Sequence, residues 1–215
     1  MTTAPAEERP LVVVVDDDDT VREAIEEALL SVGLDAISFG SARDFLGFRM
    51  PDRPGCMVLD VRLPGSSGLD IQTHLAASGN TTPIVFLTGH GDIPMSVQAM
   101  KAGAIDFLTK PFRDQALLDA VVAGVERDIA QRSEARIVAD HVERHASLTN
   151  RERQVLQKVA LGRLNKQVAY DLGISEVTVK LHRSSVMKKM RVHTVGELIR
   201  AWEVLPAELR NESAI

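Results

Sequence analysis

The sequence contains few of the residues that redox or zinc chemistry would require. Its 215 residues include one cysteine, Cys56, which cannot form an internal disulfide. We expect Cys56 to be a buried core residue, because it stands beside Met57 and Val58. The six histidines lack the spacing of zinc ligands. Neither redox nor zinc chemistry is therefore a candidate function.

Long apolar runs are also missing. No run approaches the ~20 residues that a membrane span requires, and the N-terminal MTTAPAEERP does not have the pattern of a secretory signal. We therefore predict a cytoplasmic protein with no membrane partner. Because 45% of the residues are hydrophobic, the chain can bury sizeable cores, and its length favours two domains.

Charge is distributed unevenly along the chain. Residues 1–124 carry 18 acidic and nine basic residues, net −9, whereas residues 148–215 carry seven acidic and 12 basic residues, net +5. The intervening residues 125–147 carry five acidic and four basic residues, net −1. This asymmetry suggests that the basic part binds a polyanion, although +5 could also be an ordinary solvated surface.

Short apolar runs alternate with amphipathic segments in the first half of the sequence. The alternation predicts five buried strands of a parallel sheet covered by helices on both faces, near residues 12–15, 34–39, 56–61, 83–88 and 104–109. Helices are predicted near residues 19–32, 41–48, 68–78 and 93–102. In such sheets ligands bind outside the carboxyl ends of the strands.

Polar residues follow several of these strand ends. The first strand runs directly into Asp16, Asp17, Asp18 and Asp19, while Asp60, Thr88 and Lys110 close or follow later strands. The acid run alone could be a helix cap. Together the residues predict a site for Mg²⁺ and a phosphoryl group, because carboxylate oxygens suit Mg²⁺, Lys110 can pair with phosphate and Thr88 can donate a hydrogen bond.

The motifs VVVVDDDD, VLDVRLPGSSG, VFLTGHGD and DFLTKPF resemble the landmarks of a response-regulator receiver domain over roughly residues 10–125. The resemblance implies a flavodoxin-like α/β fold with Asp60 as phosphoacceptor. It implies a Mg²⁺ site made by Asp16, Asp17, Asp60 and the backbone carbonyl of Arg62. It further implies that Thr88 and Lys110 sense the phosphate, that Phe107 is the aromatic switch, and that the Lys110-Pro111 peptide bond is cis.

An enzyme offers an alternative explanation of the acid run. DDDDT also fits the D-x-D-x-T motif of haloacid-dehalogenase-like phosphatases, with Asp16 as nucleophile and Asp18 as general acid. That family needs a second acidic pair after a later strand, but PFRDQALLDA runs straight into a predicted helix. The alternative also leaves Asp60 and the basic half unexplained, and steady phosphoester turnover would distinguish it.

A helix is predicted from Phe112 to about Glu143. Leu118, Val122, Val125 and Ile129 recur at helical spacing, which fits either a two-chain coiled-coil seam or a solvated connecting helix, because Arg132 and Arg136 occupy the next seam positions. The sequence leaves these two alternatives open.

The remaining sequence has only helical signals. Residues 148–205 predict four helices, and the middle two form a helix-turn-helix joined at Gly173-Ile174, with Asn165 and Ser175 as caps. On the second of these two, Val179, Val186 and Met190 lie on one side of the helical wheel. Four residues lie opposite, namely Val177, Leu181, Ser184 and Lys188, which suits a helix that touches DNA bases and phosphates.

The segments LTNRERQVL, GRLNKQVA and ISEVTVKLHRSSVMKKM resemble the LuxR-type DNA-binding domain of NarL/FixJ regulators, and TGHGDIPM and AMKAGAIDF resemble the FixJ type of receiver. The resemblance implies base contacts by Lys180, Leu181 and Ser184, and phosphate contacts by Lys166, Thr178, His182 and Lys188. The predicted domains are a receiver over 1–124, a helical linker over 125–146 and a helix-turn-helix domain over 147–215.

The predicted function is that of a two-component transcription factor, not a turnover enzyme. A histidine kinase would phosphorylate Asp60, and the phosphorylated protein would dimerise and bind double-stranded promoter DNA. The expected dimer surface includes Met100, Ala102, Phe107 and the helix that carries Leu117, Leu118 and Val121. DNA binding that is independent of phosphate is the alternative within regulation.

Overall fold

The computed structural model describes residues 9–89 and 93–211 and divides into two compact units, Met1–Arg132 and Ser133–Ile215. This division falls inside the predicted linker. The predicted domain boundaries at residues 124 and 146 remain predictions. Within the described residues, no helix combines the length and apolar character needed to cross a membrane.

The first unit contains the predicted five-stranded parallel sheet, whose strands are β1 (Leu11–Val15), β2 (Asp35–Phe39), β3 (Gly55–Asp60), β6 (Ile84–Thr88) and β7 (Asp106–Thr109). Their order in the sheet is β2-β1-β3-β6-β7. The helices between them are α1 (Asp19–Ser31), α2 (Ala42–Leu46), α3 (Gly68–Ala77) and α4 (Ile93–Lys101). A small antiparallel pair, β4 (Arg62–Leu63) and β5 (Ser66–Ser67), was not predicted.

The continuous apolar runs supply two separate cores, one on each face of the sheet. In β1, Val13 and Val15 join the core beneath α2 and α3, whereas Val12 and Val14 join the core beneath α1 and the helix after β7. Cys56 lies in the second core, as predicted. Because β1 is covered on both faces, its alternating side chains are all apolar.

The helix after β7, α5 (Asp114–Ala146), extends three residues beyond the predicted end at Glu143. The apolar seam does not form one exposed stripe. Of its four residues, Val125 is buried in the core of the first unit and Leu118 packs against that core, whereas Val122 and Ile129 are exposed. Leu117 and Val121, two of the residues named for the predicted dimer surface, are not on the surface: α5 packs against the sheet through them, and both are buried in the core.

The second unit contains α6 (Asn150–Ala160), α7 (Asn165–Leu172), α8 (Glu176–Met190), α9 (Val195–Val204) and a short α10 (Ala207–Asn211) within the predicted tail. α7 and α8 form the helix-turn-helix, with Gly173 in the left-handed region at φ 65°. Ser175 caps α8 by accepting from the Thr178 N–H. Asn165 is not a cap: it is the first helical residue, and its side chain accepts from Arg183.

Candidate functional site

The four consecutive aspartates occupy different environments. Asp16 is completely buried at the end of β1, and Asp17 is exposed beside it. Asp18 caps α1 by accepting from the N–H groups of Thr20, at 2.9 Å, and Val21, at 3.4 Å. Asp19 lies in the first helical turn and forms an ion pair with Arg22. The cap and the positive end of the helix dipole therefore accommodate half of the acid run.

Asp60 is held at the end of β3 and is only 6% exposed. Its Oδ1 accepts from the Arg62 N–H at 2.9 Å, which orients the carboxylate. Gly68 starts α3 directly against this residue: a Cβ at position 68 would lie 2.4 Å from the Asp60 carbonyl oxygen. The local chain path around Asp60 therefore requires glycine at this position.

Lys110 joins the two buried carboxylates. Its Nζ donates to Asp16 Oδ2 at 2.5 Å and to Asp60 Oδ2 at 2.6 Å. Its backbone N–H donates to the Thr88 carbonyl at 2.7 Å, and the Lys110-Pro111 peptide bond is cis, as predicted. A cation thus lies between carboxylates contributed by residues 44 positions apart in sequence, because parallel strands end at the same sheet edge.

Burial and ion pairing shift the pKa values of Asp16 and Lys110 in opposite directions. Burial raises the pKa of Asp16, and its hydrogen bonds from Lys110 and the Asp18 N–H only partly counteract this. For Lys110, burial would lower the pKa, but the hydrogen bonds to Asp16 and Asp60 outweigh it and raise the pKa. Lys110 therefore remains a cation in the site.

Asp16, Asp17 and Asp60 form a group of carboxylates that could hold a metal ion. One carboxylate oxygen from each lies within 4.8 Å of the others. Carboxylate oxygens are ligands that suit Mg²⁺, so the donor chemistry of this cluster is consistent with a Mg²⁺ site. The role of the Arg62 carbonyl as a further ligand remains a prediction.

Thr88, a predicted phosphate-sensing residue, and Phe107, the predicted aromatic switch, lie on neighbouring strands. Thr88 ends β6 and is buried, and it pairs in register with Thr109 of β7. Phe107 on β7 is partly buried against the first core, with its ring 6.3 Å from that of Phe86. Of the TGHGD motif that follows Thr88, residues 90–92 lie outside the described residues.

The second unit presents the predicted nucleic-acid face on α8. Val179, Val186 and Met190 are fully buried in its core, as predicted. On the opposite side Val177 and Leu181 are 67% and 66% exposed, alongside the exposed Lys180, Ser184 and Lys188. Thr178 and His182 are half-buried at the edge of this face, and Lys166 is exposed on α7.

Sequence reasoning missed several buried charges of structural importance. Asp128 of α5 accepts from the Gly55 N–H at the start of β3, at 2.9 Å, and from Arg132 at 2.7 Å. In the second unit, Lys189 pairs with the buried Glu152 at 2.7 Å. Burial opposes ionisation of Glu152, but the bonds from Lys189 and Thr149 outweigh it and lower its pKa.

One local contact of the buried Glu152 could have been found from the sequence. Thr149 and Glu152 form a reciprocal capping box at the start of α6, and the T-x-x-E spacing that produces it is visible in LTNRE. The Gly55 partner of Asp128 and the Lys189 partner of Glu152, in contrast, come from distant segments. Their pairing requires the fold.

Comparisons with known proteins agree with this geometry. The family model described as "Response regulator receiver domain" matches residues 12–122, and "Bacterial regulatory proteins, luxR family" matches residues 146–202. Nodulation protein W of Bradyrhizobium diazoefficiens is 54% identical over 93% of this chain and 88% of its own. Transcriptional regulatory protein FixJ of Azorhizobium caulinodans is 46% identical over 87% of this chain and 89% of its own.

Solved structures extend the similarity to the fold. The structure of response regulator StyR has a TM-score of 0.82 and 48% identity, covering 91% of this chain and 98% of that one. Full-length FixJ from B. japonicum has a TM-score of 0.55 and 35% identity, covering 91% of this chain and 96% of that one. The phosphatase alternative for DDDDT is therefore wrong, since these relatives are regulators and Asp18 serves as a helix cap. The chain belongs to the NarL/FixJ family of two-component response regulators, DNA-binding proteins in which a receiver domain with a kinase partner precedes a LuxR-type helix-turn-helix.

Proposed function

We propose that Asp60 accepts a phosphoryl group from a histidine kinase and that this modification controls dimerisation and promoter binding. The observation that carries the proposal is the position of Lys110, whose Nζ contacts both Asp16 Oδ2 and Asp60 Oδ2. A phosphorylated Asp60 would place new anionic oxygens beside this cation. The carboxylates of the resting ion pairs and the oxygens of the phosphoryl group would therefore compete for hydrogen bonds from Lys110.

The chain's own residues prepare Asp60 for phosphoryl transfer. The Arg62 N–H fixes one carboxylate oxygen, while the other faces Lys110. In the reaction a carboxylate oxygen would attack phosphorus, the phosphorus–nitrogen bond of a phosphohistidine would break, and an acyl phosphate would form. Lys110 would stabilise negative charge on the transferred group, because burial strengthens its electrostatic interaction.

Mg²⁺ is the proposed cofactor, held by Asp16, Asp17 and Asp60 with the Arg62 carbonyl. When bound, it would neutralise charge on the phosphoryl oxygens. The support is the proximity of the three carboxylates, together with the exposure of Asp17, which leaves one side of the cluster open to solvent. The kinase, a small-molecule phosphodonor and the metal would approach the cluster from that side.

Dimerisation would use the surface formed by α4, β7 and α5. The exposed apolar residues of these helices include Val97, Met100 and Val122, and they take the place of the buried Leu117 and Val121 on this surface. Phe107 lies on the strand between the helices, next to the strand that ends at Thr88. Inward movement of Thr88 and Lys110 towards a phosphate on Asp60 would let Phe107 rotate and change this surface. Phosphorylation favours the dimer only if the phosphate interacts better with the dimer-competent state than with the resting state.

DNA recognition would use the exposed side of α8. Lys180, Leu181 and Ser184 are proposed to contact bases, with phosphate contacts from Lys166, Thr178, His182 and Lys188. The support is the separation of the fully buried Val179, Val186 and Met190 from the exposed Leu181 and its basic neighbours. A cytoplasmic location, where both kinase and DNA are accessible, remains a prediction.

Mass spectrometry of the intact protein tests the phosphoacceptor. The protein is incubated with a small acyl phosphodonor and Mg²⁺, and the modified residue is located by peptide mapping. We expect one label, on Asp60, and no label in Asp60→Asn. A label on Asp16, or a label retained in Asp60→Asn, would refute the assignment.

A further inference from the structure

The C-terminal end of α8 has an unusual set of partners. The N–H of its capping residue, Arg191, donates to carbonyls within α8, and Arg191 adopts φ 53°. The carbonyl of Met190, the last helical residue, accepts from Arg144 Nη1 at 3.1 Å. Arg144 belongs to α5, the helix that precedes the helix-turn-helix. A cation at this end also complements the negative end of the α8 dipole.

Arg144 is itself fixed in position. Its Nη2 forms an ion pair with Asp140, one turn earlier on α5, at 2.5 Å, and its side chain is only 21% exposed. The adjacent residue of α8 makes a second connection, because Lys189 Nζ donates to the Ser147 carbonyl at 3.2 Å and to Glu152 at 2.7 Å. We call the Arg144–Met190 and Lys189–Ser147 contacts the C-terminal clamp of α8.

The last turns of α5 are built into the second unit around this clamp. Val142 packs against the core of that unit, and His145 is buried with its ring 6.3 Å from that of Trp202. The luxR-family match begins only at residue 146, so Asp140 and Arg144 precede it. These two residues therefore add a support to α8 from outside the matched segment.

We propose that Arg144 is a positioning residue for DNA recognition: through the Met190 carbonyl it fixes the C-terminal end of α8, and Asp140 fixes Arg144. This inference rests on the proposed role of α8 in contacting bases. Contacts with base edges read the sequence, so they depend on the position of α8 in the groove, whereas phosphate contacts carry no sequence information directly. Loss of the clamp lowers the fraction of molecules with α8 in the binding orientation, and apparent affinity falls by that fraction.

The test compares Arg144→Ala with Arg136→Ala in the full-length protein, because Arg136 is an exposed arginine two turns earlier on α5. Two DNA probes are used: a duplex selected from random sequence with the wild-type protein, and a scrambled duplex of the same composition. Affinity is measured at several salt concentrations, well below the melting temperature, after titration of the active fraction. Arg144→Lys is the conservative variant, which retains the charge.

We expect Arg144→Ala to weaken binding to the selected duplex by at least about tenfold, the lower end of the effect expected for one hydrogen bond from a charged group. Binding to the scrambled duplex and the salt dependence should be unchanged, so the specificity ratio falls. Arg144→Lys should recover part of that ratio, and Arg136→Ala should leave it at the wild-type value.

Other outcomes overturn the inference in different ways. A smaller salt dependence in Arg144→Ala would mean that Arg144 contacts phosphate directly. A lower melting temperature with an unchanged specificity ratio would mean that the clamp only stabilises the fold. If the wild-type protein itself does not distinguish the two duplexes, the proposed role of α8 fails, and that result is separate from any effect of Arg144.

Discussion

The two aspartates in the middle of DDDDT show how neighbouring residues of the same type acquire different roles. Asp17 offers an oxygen to the cluster with Asp16 and Asp60, whereas Asp18 accepts from the Thr20 and Val21 N–H groups at the start of α1. The end of β1 places the Asp17 carboxylate at the acidic cluster, and the start of α1 uses the Asp18 carboxylate as its cap. Substituting each one should therefore affect different properties.

For Asp18→Ala we expect a loss of about 1 kcal/mol in the free energy of unfolding, because the cap is removed. Asp18→Asn retains a capping oxygen and should be close to wild type. Mg²⁺ affinity should change little in either variant, whereas Asp17→Asn should weaken it at least about tenfold. Urea denaturation and Mg²⁺ titration measure the two quantities. A larger effect of Asp18→Asn than of Asp17→Asn on Mg²⁺ affinity would reverse the assigned roles.

At the scale of elements, α8 combines a buried side with an exposed one that carries Leu181 and Lys188. We expect Lys188→Ala to weaken binding to all DNA sequences and to reduce the salt slope by about one, because one phosphate contact is lost. Leu181→Ala should instead change the preferred base at one position, by about 1 kcal/mol. Binding measurements on a duplex library at several salt concentrations separate the two effects. Equal, sequence-independent losses would contradict the orientation of α8.

The ion pair between α6 and α8 predicts a pH dependence. Because Lys189 and Thr149 lower the pKa of Glu152 below its ordinary value of 4.5, the carboxylate stabilises the fold fully above that value. The contribution is lost as pH falls through the lower, folded-state pKa. Glu152→Gln should therefore cost about 1–2 kcal/mol near neutral pH and progressively less under acid conditions.

Urea denaturation followed by tryptophan fluorescence tests this dependence. Trp202 is the single tryptophan of the sequence and lies in the core of the second unit, so its signal reports unfolding of that unit. Gln157→Ala on the same helix provides a control without an ionisable group. A Glu152→Gln deficit that stays constant as the pH falls would rule out the ion pair as its cause.

The five strands and the main helices were predictable because each follows from local periodicity. Apolar runs such as VVVV are long enough for strands, and Gly173 marks the helix-turn-helix. The receiver residues could be listed from motifs at strand ends. The hairpin of β4 and β5 was missed because its strands are two residues each, and Asn165 was misassigned because its side chain bonds to the distant Arg183. Long-range partners of this kind have no local signal.

At the scale of the whole molecule, the proposed phosphorylation should change the oligomeric state. Exposed Val97, Met100 and Val122 provide apolar area near Phe107, and paired helix-turn-helix domains need two chains. We expect a monomer without phosphodonor and a dimer with it, measured by analytical ultracentrifugation. Asp60→Asn is the control and should stay monomeric. Met100→Asp should stay monomeric even when phosphorylated, because a charge is costly in an apolar interface. An unchanged mass on phosphorylation of the wild-type protein would refute the proposed dimerisation.

The central claim is that a phosphoryl group on Asp60 controls DNA binding. It is tested most directly by the affinity of the full-length protein for a duplex selected from random sequence, with and without a small phosphodonor and Mg²⁺, in the wild type and in Asp60→Asn. We predict that phosphorylation raises the affinity of the wild type at least about tenfold, which corresponds to a coupling free energy of about 1.4 kcal/mol, and leaves Asp60→Asn unchanged. Equal affinity of phosphorylated and unphosphorylated wild-type protein would contradict the claim.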